Sequence, residues 1–113
     1  MSYDLVNQIQ EKFGLIDIAI KQLGKRGETL AEAERDYRAA LAKKILVERE
    51  KGTPVSIITD ICKGDHEISL LRFKRDVAEV SYKSVQEAIN GYKLQIKIMD
   101  AQLGREWSHT PHE

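Results

Sequence analysis

Two residue types that could do chemistry stand near the middle of the chain: Cys62 and, four residues on, His66. A thiol and an imidazole one helical turn apart could share a soft metal ion or act as a nucleophile and its base. Gly64 lies between them, where a helix break is expected, and a break removes the i, i+4 geometry that both chemistries need. No further ligand types cluster with the pair, so Cys62 reads as a structural cysteine. His109 and His112 fall in the stretch 108–113, but Pro111 breaks any helix there, and a disordered tail is expected.

The other candidates are weaker still. Gly24-Lys25-Arg26-Gly27 is too short for a phosphate loop and lacks the Lys-Ser/Thr ending. Carboxylates lie mainly on faces away from the apolar stripes and read as solvated. Tyr82, Tyr92 and Trp107 fall at helical spacing and read as packing residues. The expectation is a protein without catalytic, cofactor-binding or metal-ligating residues, and so not an enzyme.

Basic residues offer a different chemistry. Between Lys43 and Arg75 there are eight basic and five acidic residues, a surplus of three. Lys43, Lys44, Lys63, Arg72, Lys74 and Arg75 are the candidate phosphate contacts of a mildly basic tip. A helix-turn-helix could be drawn across residues 54–65 and the helix that follows. Lys63 and Asp65 beside the turn glycine fit it poorly, because apolar residues normally flank that turn.

These residues must be positioned by helices. The chain has 113 residues and no net charge; 42% of it is hydrophobic and 32% charged. Two prolines and seven glycines argue against disorder and against an all-β fold. So high a charged fraction suits a helical bundle, in which each helix keeps a wide wet face. A neutral chain has no global attraction for nucleic acid or anionic membrane. The longest apolar run is Ala39 to Ala42, so no membrane span is expected. A single cysteine allows no internal disulfide and points to a reducing, cytoplasmic setting.

The dominant element is a helix over about 65–107, capped by Asp65. Its apolar residues are Ile68, Leu71, Ala78, Tyr82, Val85, Ile89, Tyr92, Ile96, Met99 and Leu103, a heptad repeat from Ala78 onward. Such a helix is roughly 64 Å long and must serve as a spine for the others. Leu70, Phe73, Val77 and Val80 add a second stripe to its first half. That half is expected to pack internally against two neighbours. The second half, with Val85, Ile89, Tyr92, Ile96, Met99, Leu103 and Trp107, is expected to meet helix one, a second copy or both, with a seam for a partner or a second copy favoured.

Two shorter helices come before it. The first spans about 2–23, with a stripe of Leu5 or Val6, Ile9, Phe13, Ile16, Ile20 and Leu23. Gly14 inside it suggests close approach of a neighbouring helix. Gly24 to Gly27 reads as a break. Thr29 to Glu32 then has the capping-box form that opens a second helix over about 30–51, with Leu30, Ala33, Tyr37, Leu41 and Ile45 on one face. Gly52 ends it. Thr53-Pro54 opens a short tip helix over about 54–62, for which a strand over 55–59 is the alternative. The architecture expected is an all-α, elongated antiparallel helical hairpin in one domain, 1–113. The first two helices lie end to end along the spine in the favoured arrangement and fold back on each other in the other. So small a core suggests a homo-oligomer.

The stretch Tyr37 to Leu46, then Gly52-Thr53-Pro54-Val55, Asp60 to Asp65, Arg72 to Ala78, Gln86 to Asn90 and Arg105-Glu106-Trp107, resembles a group of small helical proteins of temperate phages of Gram-positive bacteria. The resemblance covers about residues 30–107. It implies a phage origin and a host-cytoplasmic location, and supplies no active site to transfer. The functional expectation is a non-enzymatic interaction protein that binds another protein, as a replication or recombination accessory or as an inhibitor of a host or defence protein. The alternative is a nucleic-acid-binding accessory using the basic tip.

Overall fold

A computed structural model describes residues 2–108 of the chain. These residues form three helices and no strand: α1 (Ser2–Glu50), α2 (Val55–Gly64) and α3 (His66–Ser108). The fold is all-α, with the long C-terminal helix within one residue of its expected bounds. Ser108 closes α3, and the rest of the expected tail, 109–113, lies outside the described residues.

The expected break in the N-terminal half is corrected. α1 runs through Gly24–Gly27 as one helix of 49 residues, in place of two helices over 2–23 and 30–51. Thr29 does not cap a new helix. Its hydroxyl donates to the Lys25 carbonyl at 3.1 Å, inside a continuing turn. Two glycines cost about 1 kcal/mol each in a helix interior, and packing on α3 outweighs that. Arg26 donates to the Ser81 carbonyl at 3.1 Å. Gly27 is the close approach: a Cβ there would lie 3.3 Å from the Tyr82 ring. Gly14, where close approach was expected, has no neighbour within 4 Å of such a Cβ.

The corner after α1 is a Schellman turn. The Thr53 amide donates to the Glu48 carbonyl at 3.2 Å and the Gly52 amide to Arg49 at 3.0 Å. Gly52 has φ +81°, a conformation that glycine adopts without a Cβ penalty. α2 then starts after Pro54, which excludes the strand alternative for these residues. Gly64 ends α2 instead of lying beyond it. Asp65 caps α3 as expected: its Oδ2 accepts from the Ile68 amide at 3.2 Å.

The chain divides into two compact units. One holds the residues up to Gly24 and from Lys83 onward; the other is Lys25–Tyr82. In the first, Ala19, Val85 and Ile89 form a buried cluster, with Leu23 and Tyr92 packed against it. The Lys12 ammonium lies 5.8 Å from the Tyr92 ring centroid. In the second, Ala33, Tyr37, Ile58, Cys62, Ile68 and Ala78 are buried. There α1 and α3 run antiparallel, since Glu34 meets Arg75 while Lys44 meets Asp65.

The buried stripes differ from the expected ones. On α1, Phe13 and Ile20 are 53% and 52% exposed, and Ala19 takes the buried position. A small alanine lets the helices approach closely there, which leaves the bulkier neighbours outside. On α3 the expected inner half keeps only one of its two stripes inside: Ile68 and Ala78 are buried. Phe73 and Val80, expected in the internal core, are 67% and 68% exposed, whereas Val85 and Ile89 of the expected seam are buried against α1. Tyr92, Ile96, Met99 and Leu103 are half-buried, and Trp107 is exposed rather than packed.

Candidate interaction surface

α3 carries two apolar tracks. One faces α1 and includes Ile68, Ala78, Val85 and Ile89. The other begins with Leu70, Phe73, Val77 and Val80. At about 100° per residue, Val77 lies on the side opposite Arg75, whose guanidinium contacts α1. All four side chains of this second track are at least half exposed. In the other unit, Leu94 and Ile98 of α3 are also exposed.

In the unit Lys25–Tyr82, α3 therefore holds an exposed apolar face of four residues. The pattern had been visible in the sequence as a second stripe. Only the packing shows that α1 takes the other one. On α1, Val6, Phe13 and Ile20 form a smaller exposed track of their own, on a seven-residue spacing.

The six residues of the expected basic tip divide into two groups. Arg75 is turned inward. Its guanidinium pairs with Asp76 at 2.8 Å and Glu34 at 3.3 Å, and lies 4.8 Å from the Tyr37 ring centroid. Those carboxylates, Asp76 foremost, hold it charged and push its pKa up. Glu34 is in turn held ionised below its ordinary range by Arg38, then by Arg75. Lys44 is also engaged, 3.7 Å from Glu48 and 3.8 Å from Asp65. Lys43, Lys63, Arg72 and Lys74 are exposed. Arg72 and Lys74 flank Phe73 on α3, one on each side of the apolar track.

At the corner between α1 and α2, Glu48 is 7% exposed. The Thr53 hydroxyl donates to its Oε2 at 2.8 Å, and Lys44 and Lys51 stand at 3.7 and 3.6 Å. The Thr53 hydrogen bond, with the two ammonium groups, holds its carboxyl below the usual range. This cluster fastens the corner. A carboxylate in the last turn of α1 opposes the helix dipole, and the Thr53 hydroxyl and the two ammonium groups offset that.

Cys62 is fully buried and His66 is exposed, so the structure does not bring them together as a reactive pair. Among the described residues, no group of three His, Cys, Asp or Glu side chains could hold a metal ion. A shallow groove of about 460 Å³ is lined by Leu23, Lys83, Gln86, Glu87, Ile89 and Asn90. A second, of about 250 Å³, lies among Ala40, Lys43, Lys44, Val47, Asp65, Glu67 and Ile68. No described helix is long and apolar enough to cross a membrane.

The fold defines a class: an all-α protein of helical-bundle type. No protein-family model matches the chain, and no curated protein or solved structure matches it either.

Proposed function

We propose that this protein acts without enzymatic chemistry, by binding another protein. The observation that carries this reading is the second apolar track of α3, on which Phe73 and Val80 are 67% and 68% exposed. A contiguous apolar patch of several hundred Å² on a small protein commonly marks an interaction site. Flanking charges, Arg72 and Lys74 among them, supply the polar rim that such a site has around its apolar centre. With the resemblance to small helical phage proteins, the reading becomes a phage protein of the host cytoplasm. It would be an accessory of replication or recombination, or an inhibitor of a host or defence protein.

The test is affinity capture from host lysate with the intact chain and with a Phe73→Ser, Val80→Ser variant, followed by reconstitution of any captured protein from purified components. A partner that binds the intact chain and not the variant supports the reading. Equal recovery with both removes it.

A nucleic-acid-binding accessory is the second reading, favoured by the exposed Lys43, Lys63, Arg72 and Lys74. It requires salt-sensitive gel-shift binding that weakens when Arg72 and Lys74 become glutamine. Absence of binding at low salt rules it out.

A further inference from the structure

We infer that two copies of this chain pair through the outer face of α3 between Glu87 and Arg105, antiparallel and about a two-fold axis level with Ile96. This stretch lies inside one compact unit, the residues up to Gly24 and from Lys83 onward. It is a different surface from the Phe73–Val80 face that carries the proposed function. In this unit Val85 and Ile89 are buried with Ala19 of α1, and Tyr92 packs against them. At about 100° per residue, the opposite side of the same stretch carries Glu87, Gly91, Leu94, Ile98, Ala101 and Arg105, all exposed. Leu94 and Ile98 are 58% and 57% exposed, an apolar centre that α1 does not cover.

The spacing of that face is self-complementary. Its positions follow in steps of four and three and read the same from either end. An antiparallel pair centred at Ile96 therefore sets every position opposite another, and two-fold symmetry makes each contact twice. Leu94 falls opposite the second copy's Ile98, apolar on apolar. Gly91 falls opposite its Ala101, and nothing lies within 4 Å of a Cβ added at Gly91. Small residues on both sides of the centre let the two helix axes approach, so the four branched side chains can close on each other. At the ends Glu87 falls opposite the second copy's Arg105, which places opposite charges on the rim.

Other arrangements fit worse. A parallel, in-register pair sets Glu87 against Glu87 and Arg105 against Arg105. Sliding the antiparallel pair by one layer brings either Glu87 opposite Ile98 or Arg105 opposite Leu94, a charge against the apolar centre. In the favoured register one flank brings Gln95 beside the second copy's Gln95, whose amides can exchange hydrogen bonds. The other flank brings Lys97 toward Lys97, the like-charge contact of the pair. It lies on the wet rim, where long side chains diverge, with Asp100 one turn along each helix. With so small an apolar centre the pair is a weak one, with a dissociation constant on the order of 100 μM.

Sedimentation equilibrium of the full chain from about 10 μM to about 1 mM should show the 12.9 kDa monomer giving way to a dimer. Leu94→Ser with Ile98→Ser should abolish the dimer, and Phe73→Ser with Val80→Ser should leave it unchanged. Glu87→Arg and Arg105→Glu should each weaken it about threefold, and the two in one chain should restore it. Lys97→Gln should tighten it. All these positions are exposed, so helix content by circular dichroism should hold throughout. Disulfide trapping fixes the register: Gly91→Cys and Ala101→Cys chains, mixed under mild oxidation, should cross-link with each other and not with themselves. Like positions stand about 15 Å apart along the antiparallel pair. Cys62, 0% exposed, stays out of the reaction.

A chain that is still monomeric at about 1 mM overturns the inference. So does self-linking of the Gly91→Cys chain ahead of the mixed product, or a dimer that survives Leu94→Ser with Ile98→Ser.

Discussion

The Arg75 guanidinium lies over the ring of Tyr37, 4.8 Å from its centroid, while its Nη1 reaches Glu34 at 3.3 Å. One side chain thus ties α3 to two residues of α1 a turn apart. Arg75→Gln removes the charge from both contacts and should cost about 1–2 kcal/mol. Arg72→Gln, on the exposed side, should change stability by less than about 0.5 kcal/mol. Urea unfolding of the two variants checks the contrast, and equal effects would contradict the geometry.

Glycine substitutions separate open from crowded helix positions. Gly14→Ala and Gly24→Ala meet nothing within 4 Å and should each raise stability by about 0.5–1 kcal/mol. Gly27→Ala brings a methyl to 3.3 Å from the Tyr82 ring, so part or all of that gain is lost. Thermal unfolding of the three variants should rank Gly27→Ala last.

On α1 the buried and exposed tracks give opposite expectations for the same residue type. Ile16, 8% exposed, should cost about 2–4 kcal/mol when cut to alanine. Ile20, 52% exposed, should cost less than about 0.5 kcal/mol. A large loss at Ile20 would mean that the sequence-derived stripe, with Phe13 and Ile20 inward, is the correct one after all.

Glu48 gives the chain a pH dependence of defined sign. Its folded pKa is lowered from the ordinary 4.5, first by the Thr53 hydroxyl. A carboxylate that ionises more easily when folded adds stability that is fully present above its unfolded pKa. That stability disappears as the pH falls from about 4.5 through the lower folded value. Thr53→Val should move the Glu48 titration, followed by carboxyl carbon NMR, back toward its ordinary range. The variant should also lose less stability than the parent on acidification.

The sequence by itself determined the helical class, the length of α3 and its cap at Asp65. It also placed the turn at Gly52 and both apolar tracks of α3. Heptad spacing, a capping carboxylate and a glycine at a helix end are local signals, readable one helix at a time. Tertiary structure decided what depends on a neighbour. Gly24 and Gly27 read as a break because helix propensity is local, yet α1 continues through them as one helix. Leu70 to Val80 and Val85 to Leu103 both read as apolar stripes, and periodicity cannot say which one a partner helix will choose. That choice follows from shape: Ala19, Gly27, Ala33 and Ala78 allow α1 and α3 to approach where side chains are small. Phe73, Val77 and Val80 are left facing outward on the far side of the same helix.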